Sequence, residues 1–340
     1  MASSPKRILS GMQPSGTGRL HLGNLVGALE NWVRFQEAGW ENYHMVADWH
    51  TLTTKPEGSA QLDEQTLEVL IDWLSAGLDP EKSVLFIQSH IPQHAELFLI
   101  FSMLVTTARL ERNPTLKEVV RNLDLDENIS YGHLGYPVLQ AADILLYKAN
   151  AVPVGEDQLP HLEITREIAR RFNKLYKKRV FPIPEPKLSR VKRLPGLDGN
   201  KMSKSLGNTI YISDSPEQIQ SQVMSAITDP EKIRKNDPGH PEICNVFAYH
   251  TVFNEEEVPQ IEQDCRSGAL GCVDCKKNCA AKITEYLAPV REKRAHYVAN
   301  KGEVIDIANA GDVAAGAVAR ETMADIKAAM KLRGFDGISG

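Results

Sequence analysis

The chain lacks the marks of a membrane or exported protein. No apolar run approaches the about eighteen residues that a spanning helix needs, and Met1 to Arg7 carries basic residues but no apolar signal core. The expected location is the cytoplasm. There is no excess of positive charge: 39 Lys and Arg against 44 Asp and Glu give a net charge of −5. That excludes a globally basic nucleic-acid binder but leaves room for a local basic patch. Cysteine is scarce and unevenly placed, with Cys244, Cys265, Cys272, Cys275 and Cys279 confined to one stretch. An odd count in one cluster argues against a disulfide framework and favours a metal site or reduced thiols. Internal repeats and low-complexity tails are absent.

What is present is a globular chain of 340 residues, 42% hydrophobic and 24% charged, long enough for one large domain or two ordinary ones. Arg7 to Gly11 reads as a strand. Leu25, Ala28, Leu29 and Trp32 recur on one helix face. Tyr43 to Ala47 reads as a second strand, Leu67, Leu70, Ile71 and Leu74 as a second helical stripe, and Val84 to Ile87 as a buried strand. This alternation implies βαβ units and a parallel sheet. Leu97 to Ile129 is mainly helical in pattern, and Ala141 to Tyr147 opens another helix. Val152 to Val154 is a short strand, and Ile164, Ile168, Phe172 and Leu175 form a helical stripe. Phe181 to Gly199, rich in Pro and Gly, reads as loop. After the brief extended piece Thr209 to Ile212 the chain looks helical, interrupted by the cysteine-rich stretch and ending in an Ala-rich helix, Asp312 to Lys331.

Five features carry chemistry. QPSGTGRLHLGNLVG, Gln13 to Gly27, joins a strand to a helix. Its glycines let backbone approach a ligand, the helix N-terminus offers N–H groups and positive dipole to phosphate, and His21 and Asn24 share a face. It is neither a Walker A loop nor a dinucleotide fingerprint. KMSKS, Lys201 to Ser205, sets two lysines on a short loop, suited to charge developing on a leaving pyrophosphate. In YPVLQAADILLY, Tyr136 to Tyr147, Asp143 taken alone is an N-terminal carboxylate of the ILLY helix. GEDQ, Gly155 to Gln158, taken alone is a charged turn after a strand. The cysteines Cys244, Cys265, Cys272 and Cys275 are separated by twenty, six and two residues. Four thiolates suit Zn²⁺ or a [4Fe–4S] cluster. With a single CxxC pair the spacing is unlike a zinc ribbon, and plain reduced thiols are the remaining reading. A basic stretch (Arg166, Arg170, Arg171, Lys174, Lys177, Lys178, Arg179, Lys187, Arg190, Lys192, Arg193) faces only Glu167 and Glu185 between 166 and 193. It suits an RNA acceptor arm or a solvated helix face equally well.

HLGN near the start and KMSKS about two-thirds along resemble the two signatures of class I aminoacyl-tRNA synthetases. ILSGMQPSG, LVGALENW, VADWH, LFIQS, YPVLQAADILLY and VPVGEDQLPH extend the likeness over nearly the whole chain, and it is to the bacterial tryptophanyl-tRNA synthetases. Asn24 stands where the first signature usually ends in His, as is common in that branch, and TGRL makes the link from Gly16 to His21 longer than in many relatives. The resemblance implies a Rossmann-like α/β catalytic domain over 1–207, a helical anticodon-binding domain with the cysteines over 208–305, and a C-terminal helical segment over 306–340. It implies that His21, Asn24, Lys201 and Lys204 act in catalysis. ATP, with Mg²⁺ riding on it, is expected at Gln13, Pro14, Ser15, Gly23, Asn24, Gly155, Glu156, Asp157, Leu194, Lys201, Met202, Ser203, Lys204 and Ser205. Asp157 is expected on the ribose and Leu194 beside adenine. Tryptophan is expected at Tyr136, Gln140, Asp143 and Gln158, with Asp143 accepting from the indole N–H. A subset of the bacterial enzymes carries a [4Fe–4S] cluster, which implies Cys244, Cys265, Cys272 and Cys275 as ligands, Cys279 as spare, and Lys276 and Lys277 beside tRNA phosphate. The implied partners are tRNA(Trp) and a second copy of the chain, with no membrane.

In the implied reaction the tryptophan carboxylate attacks the α-phosphorus of ATP, so the protein positions groups and stabilises charge rather than supplying a nucleophile. Three rivals remain: a tyrosyl sibling, since a carboxylate also suits a phenolic OH; an RNA-binding relative without catalysis; and a nucleotidyltransferase sharing the first signature. The last would lack the indole-pocket stretch and the cysteine-bearing C-terminal part.

Overall fold

A computed structural model of the protein describes residues 6–115, 129–188 and 194–332. Five strands, β1 (Arg7–Met12), β2 (Glu41–Val46), β3 (Ser83–Ile87), β4 (Ala151–Val154) and β5 (Glu185–Leu188), form one parallel sheet in the order β3-β2-β1-β4-β5. β1 and β2 pair in register from Arg7 with Glu41 to Met12 with Val46. β4 lies on the other side of β1, joined at Ile8 and Ala151. The order therefore reverses between β1 and β4. Parallel α/β sheets bind ligands beyond the carboxyl ends of their strands at such a switch point.

Both sheet faces are covered, which explains why the strands read as near-continuous apolar runs. Leu9, Tyr43, Met45 and Phe86 face a core shared with the helices Tyr131–Leu146 and Leu159–Leu175. Val46 and Leu85 face a second core built from the helices Leu62–Ser75 and Cys272–Ala299. The long C-terminal helix Lys301–Met330 runs along the outer strand β3. Asp312 accepts a hydrogen bond from the Ile87 N–H (2.9 Å) and a second from His90 (2.6 Å), so this helix covers an otherwise open sheet edge.

Several expectations need correction. Phe181 to Gly199 is not all loop: Glu185–Leu188 is the outermost strand, and Pro186 is tolerated there because an edge strand leaves one side unpaired. The helix expected from Ala141 starts at Tyr131, capped by Ser130, whose side chain accepts from the His133 N–H. Asp143 thus lies near its C-terminal end, where the dipole disfavours a carboxylate, and the reading as an N-terminal carboxylate fails. The cysteine stretch interrupts less than expected, since Cys272 opens the 28-residue helix Cys272–Ala299. The boundary expected after residue 305 falls inside the continuous helix Lys301–Met330. The pattern over Leu97 to Ile129 resolves into Gln93–Ser102 and Thr107–Glu111, with residues 116–128 outside the described residues, as are Arg190, Lys192 and Arg193 of the basic stretch and residues 333–340. Among the described residues no helix is long and apolar enough to cross a membrane.

At Gly311 the C-terminal helix presses against β3 so closely that a Cβ would collide with the Leu85 carbonyl oxygen, whereas a Cβ at Gly302 of the same helix meets nothing. Gly311→Ala is expected to destabilise by about 1–3 kcal/mol despite alanine's better propensity. Gly302→Ala should stabilise by up to about 1 kcal/mol. Urea unfolding of the two variants checks this, and a stabilised Gly311→Ala would refute the close contact.

Candidate active site

A cavity of about 710 Å³ opens at the carboxyl ends of β1 and β4. Gln13, Gly23, Asn24, Gly155 and Asp157 of the nucleotide set line it, and so do all four residues expected at the amino acid, Tyr136, Gln140, Asp143 and Gln158.

Its first wall is the glycine turn. His21 and Asn24 cap the short helix Leu22–Asn24 reciprocally: the Asn24 N–H donates to His21 Nδ1 (3.2 Å) and the His21 N–H to Asn24 Oδ1 (3.1 Å). Because Nδ1 accepts, a neutral His21 carries its proton on Nε2. Burial, then Lys204 and Lys201, push His21 down to about 4, so the ring is neutral at pH 7. Gly16 and Gly18 both take positive φ, 59° and 78°, and a Cβ at Gly18 would strike the Leu62–Ser75 helix at Gln65. The Leu20 N–H is held by buried Asp72 (2.6 Å), which also receives Arg294 (2.8 Å) from the helix Cys272–Ala299. The C-terminal helical part thus buttresses the turn.

The lysine loop packs against the glycine turn, and none of Lys201, Met202, Ser203 and Lys204 lines the cavity itself. Leu22 donates to the Ile210 carbonyl (2.9 Å) and Ile212 to that of Leu20 (3.0 Å), an antiparallel bridge that ties the segment after KMSKS to the glycine turn. Lys204 Nζ reaches across to donate to the Ser15 carbonyl at 3.0 Å. Burial lowers its ammonium to about 8, with Asp72 opposing and Arg19 assisting. Asn208 holds the loop's shape, accepting from the Ser203 N–H (2.8 Å) and donating to the Lys201 carbonyl (3.1 Å). Buried Met202 sets its sulfur 3.4 Å from the Gly23 N–H. Of the helix's first N–H groups, Leu22 and Asn24 are satisfied within the protein. Gly23 faces only a weak sulfur acceptor, so it is the one that a phosphate oxygen displaces most cheaply.

The remaining nucleotide positions are less uniform. Pro14 is buried, its carbonyl accepting from Thr51 (2.9 Å). Glu156 is exposed on the turn Glu156–Gln158, and Leu194 is buried one residue before the Pro195–Lys201 bridge; neither lines the cavity. The side chain of Ser205 lies outside the described residues. Gly155 has an ordinary φ of −75°, yet its Cβ would stand 2.6 Å from Asp157 Oδ1. Close approach, not backbone freedom, accounts for this glycine.

The amino-acid end centres on Asp143, fully buried. Its Oδ1 accepts from Gln88 Nε2 (2.9 Å) and His94 Nδ1 (2.6 Å), and its Oδ2 from His50 Nε2 (2.8 Å). Burial alone would raise its pKa, but the hydrogen bonds it accepts from His50 and His94 hold it at about 2. Beside it Asn113 donates to His161 Nδ1 (2.9 Å), so His161 Nε2–H donates to the Tyr136 hydroxyl oxygen (2.8 Å) and leaves that hydroxyl's proton free. Burial keeps His161 neutral, at about 4. Sequence reasoning missed His50, Gln88, His94, Asn113 and His161 as site residues. His50 and His161 end the matched strings VADWH and VPVGEDQLPH, which was the available signal.

The cysteines form a separate cluster. All five thiols are free. Among the described residues no set of three or more His, Cys, Asp or Glu side chains is arranged to hold a metal ion, so a ready-made centre at Cys244, Cys265, Cys272 and Cys275 is not there. The four do converge: burial raises Cys244, Cys265 and Cys275, the last to about 12, and each is raised further by charge on its neighbours in the cluster. Cys275 Sγ instead meets His250 Nε2 at 3.4 Å. Cys279 is buried, its sulfur 4.0 Å from the Val246 carbonyl oxygen. Lys276 donates to the Met224 carbonyl (3.0 Å), so its ammonium is engaged within the protein.

Comparison with known proteins places the chain in a family. The family model of class I tRNA synthetases for W and Y matches residues 1–288. A tryptophan–tRNA ligase of Thermotoga maritima is 50% identical over 328 residues, covering 96% of this chain and 99% of that one. One of Aquifex aeolicus is 42% identical, covering 96% and 100%. The solved tryptophanyl-tRNA synthetase of Campylobacter jejuni, complexed with ADP and tryptophan, superposes with a TM-score of 0.83 at 33% identity over 96% of this chain and 99% of its own. A tyrosyl-tRNA synthetase of Archaeoglobus fulgidus, at 22% identity and a TM-score of 0.67, shares the fold. Fold and site together define a class I aminoacyl-tRNA synthetase. Within that class the chain belongs to the tryptophan–tRNA ligase family.

The Asp143 network has a consequence for stability. Its pKa lies below that of an unfolded aspartate, so its contribution is complete above about pH 4 and is lost as pH falls toward 2. The depression corresponds to about 2 kcal/mol. Urea midpoints between pH 4 and pH 2 should fall more steeply for the wild type than for Asp143→Asn. Parallel slopes would show that the network does not hold the charge.

Proposed function

We propose that the chain activates tryptophan with ATP and transfers it to tRNA(Trp). One observation supports this reading above the others: a single cavity joins the glycine turn, GEDQ and the buried Asp143 acceptor, and Lys204 bonds to that glycine turn from alongside.

The tryptophan carboxylate attacks the α-phosphorus of ATP, pyrophosphate leaves, and a tRNA terminal ribose hydroxyl then takes the acyl group from the adenylate. The neutral His21, with its proton on Nε2, donates to a phosphate oxygen, and the Gly23 N–H joins it once Met202 shifts aside. Asn24 keeps His21 in that orientation. Lys201 and Lys204 meet the negative charge that grows on the leaving pyrophosphate. Gln13, Pro14, Ser15, Met202, Ser203 and Ser205 shape the phosphate walls, Asp157 takes the ribose hydroxyls with Gly155 and Glu156 framing it, and Leu194 lies by the adenine. Mg²⁺ travels with the nucleotide, in keeping with that ion's preference for phosphates and water. Asp143 accepts from the indole N–H, Gln140 and Tyr136 flank the ring, and Gln158 orients the ammonium group.

Residues 1–207 form the catalytic domain and 208–300 the anticodon-binding part, and the helix Lys301–Met330 packs back on the catalytic sheet. The enzyme works in the cytoplasm as a homodimer. Leu99, Met103 and Tyr131, on adjacent helices and 59%, 67% and 66% exposed, offer apolar surface for a second copy. Cys244, Cys265, Cys272 and Cys275 take up a [4Fe–4S] cluster, or Zn²⁺ in its place. The support is the donor set itself: four thiols gathered closely enough that charge on its neighbours helps to raise Cys244, Cys265 and Cys275, an effect that a cation would relieve. Such a group would fasten three helices together.

Amino-acid-dependent pyrophosphate exchange tests the main reading: exchange with tryptophan and none with tyrosine is expected, and equal rates would overturn it. Lys204 acts as a cation, so kcat/KM for ATP should fall as pH rises through about 8, and Lys204→Arg should extend the plateau upward. An unchanged profile in that variant would remove Lys204 from the mechanism. After anaerobic purification, iron and sulfide analysis should give about four irons per chain. Stoichiometric zinc would replace the cluster, and neither metal would refute the site.

A further inference from the structure

Asp143 presents about four lone-pair directions. Three are already used, two on Oδ1 by Gln88 and His94 and one on Oδ2 by His50. One direction on Oδ2 remains for a ligand. His50 shares the cavity wall with Asp143, whereas His94 is fully buried behind it and does not line the cavity. Both His94 nitrogens are engaged: Nδ1 lies 2.6 Å from Asp143 Oδ1 and Nε2 lies 2.8 Å from the Tyr147 hydroxyl. Tyr147 is also fully buried, and burial, aided by Asp143, raises its pKa well above the ordinary value, so the hydroxyl keeps its proton. That hydroxyl can donate to Nε2, which fixes the His94 proton on Nδ1, facing Asp143.

We propose that His94, set by Tyr147, is a positioning residue for amino-acid selection: it saturates Oδ1 of Asp143 and so holds the last Oδ2 lone pair as a fixed acceptor for an indole N–H. This rests on the reading that Asp143 meets the indole, and it adds the groups behind the carboxylate that give the contact its discrimination. Without the His94 donor the carboxylate turns about its Cβ–Cγ bond to share its remaining partners, and the free lone pair no longer points one way. Selection between a ligand with the N–H and one without it then weakens, while the phosphate end of the cavity, built from other elements, is untouched.

The test compares tryptophan with β-(3-benzothienyl)alanine, in which sulfur replaces the N–H, as kcat/KM in pyrophosphate exchange by the full chain. The wild type should prefer tryptophan by about a hundredfold or more. His94→Leu should cut that ratio by about tenfold or more through KM for tryptophan, with KM for ATP and the analogue's kinetics within about twofold of wild type. His94→Asn, whose amide nitrogen stands near the position of Nδ1, should recover part of the ratio, and Tyr147→Phe should lose several-fold. Wild-type ratios in both His94→Leu and Tyr147→Phe would overturn the proposal. So would a loss that is equal for tryptophan and the analogue, which is what a merely structural histidine gives. If His94→Leu fails to fold, Tyr147→Phe decides: a reduced ratio supports the proposal and an unchanged one overturns it. A wild-type enzyme that does not distinguish the two amino acids would instead remove the Asp143–indole contact, and this inference with it.

Discussion

Lys204 reaching across to the Ser15 carbonyl is the contact on which the account of the site depends. The two segments are separated by 189 positions in the chain, and each alone is an ordinary surface turn. Set face to face by the Leu20–Leu22 and Ile210–Ile212 bridge, they place a neutral histidine and the Gly23 N–H on one side and two lysine side chains on the other. The arrangement is strained electrostatically when no anion lies between. Burial and Arg19 lower the Lys204 pKa, and the two lysines help to lower that of His21. In the proposed mechanism a polyphosphate relieves both effects at once, and nucleotide affinity and stabilisation of a departing pyrophosphate come from the same feature.

The amino-acid end works by the opposite device. There a carboxylate is stripped of water near the C-terminal end of a helix, where both burial and dipole oppose its charge, and Gln88, His50 and His94 restore it. A buried polar network that is nearly but not wholly satisfied leaves one acceptor position in demand, and a site of that kind rejects ligands that cannot fill it. The two devices sit on different elements: the Lys204–Ser15 contact joins two loops beside the cavity, and Asp143 lines the cavity at the sheet's switch point.

Much of this was legible in the sequence. The apolar runs at Ile8–Leu9, Tyr43–Val46 and Val84–Ile87 stand out because a doubly covered parallel sheet requires them, and QPSGTG, KMSKS and GEDQ stand out as Gly-rich, lysine-paired and acidic turns between elements. What was hidden was hidden for physical reasons. β5 is an edge strand that tolerates Pro186, so it carries none of the buried-strand pattern. The Tyr131–Leu146 helix contains Pro137 and two glycines before Ala141, which conceals its first half and made Asp143 look like a cap. His94 and Gln88 act from behind the pocket and show no spacing that relates them to Asp143. The cysteine spacing announced four thiols in one place, and the structure brings them near one another without forming a finished ligand set.

The measurement that goes straight to the central claim is a crystal structure of the chain with tryptophan and a non-hydrolysable ATP analogue. The account predicts the triphosphate lying between the glycine turn and the lysine loop, with the Gly23 N–H and His21 Nε2 on one side, Lys204 released from Ser15 on the other, and Met202 displaced. Phosphates bound elsewhere, with Lys204 still on the Ser15 carbonyl, would contradict it.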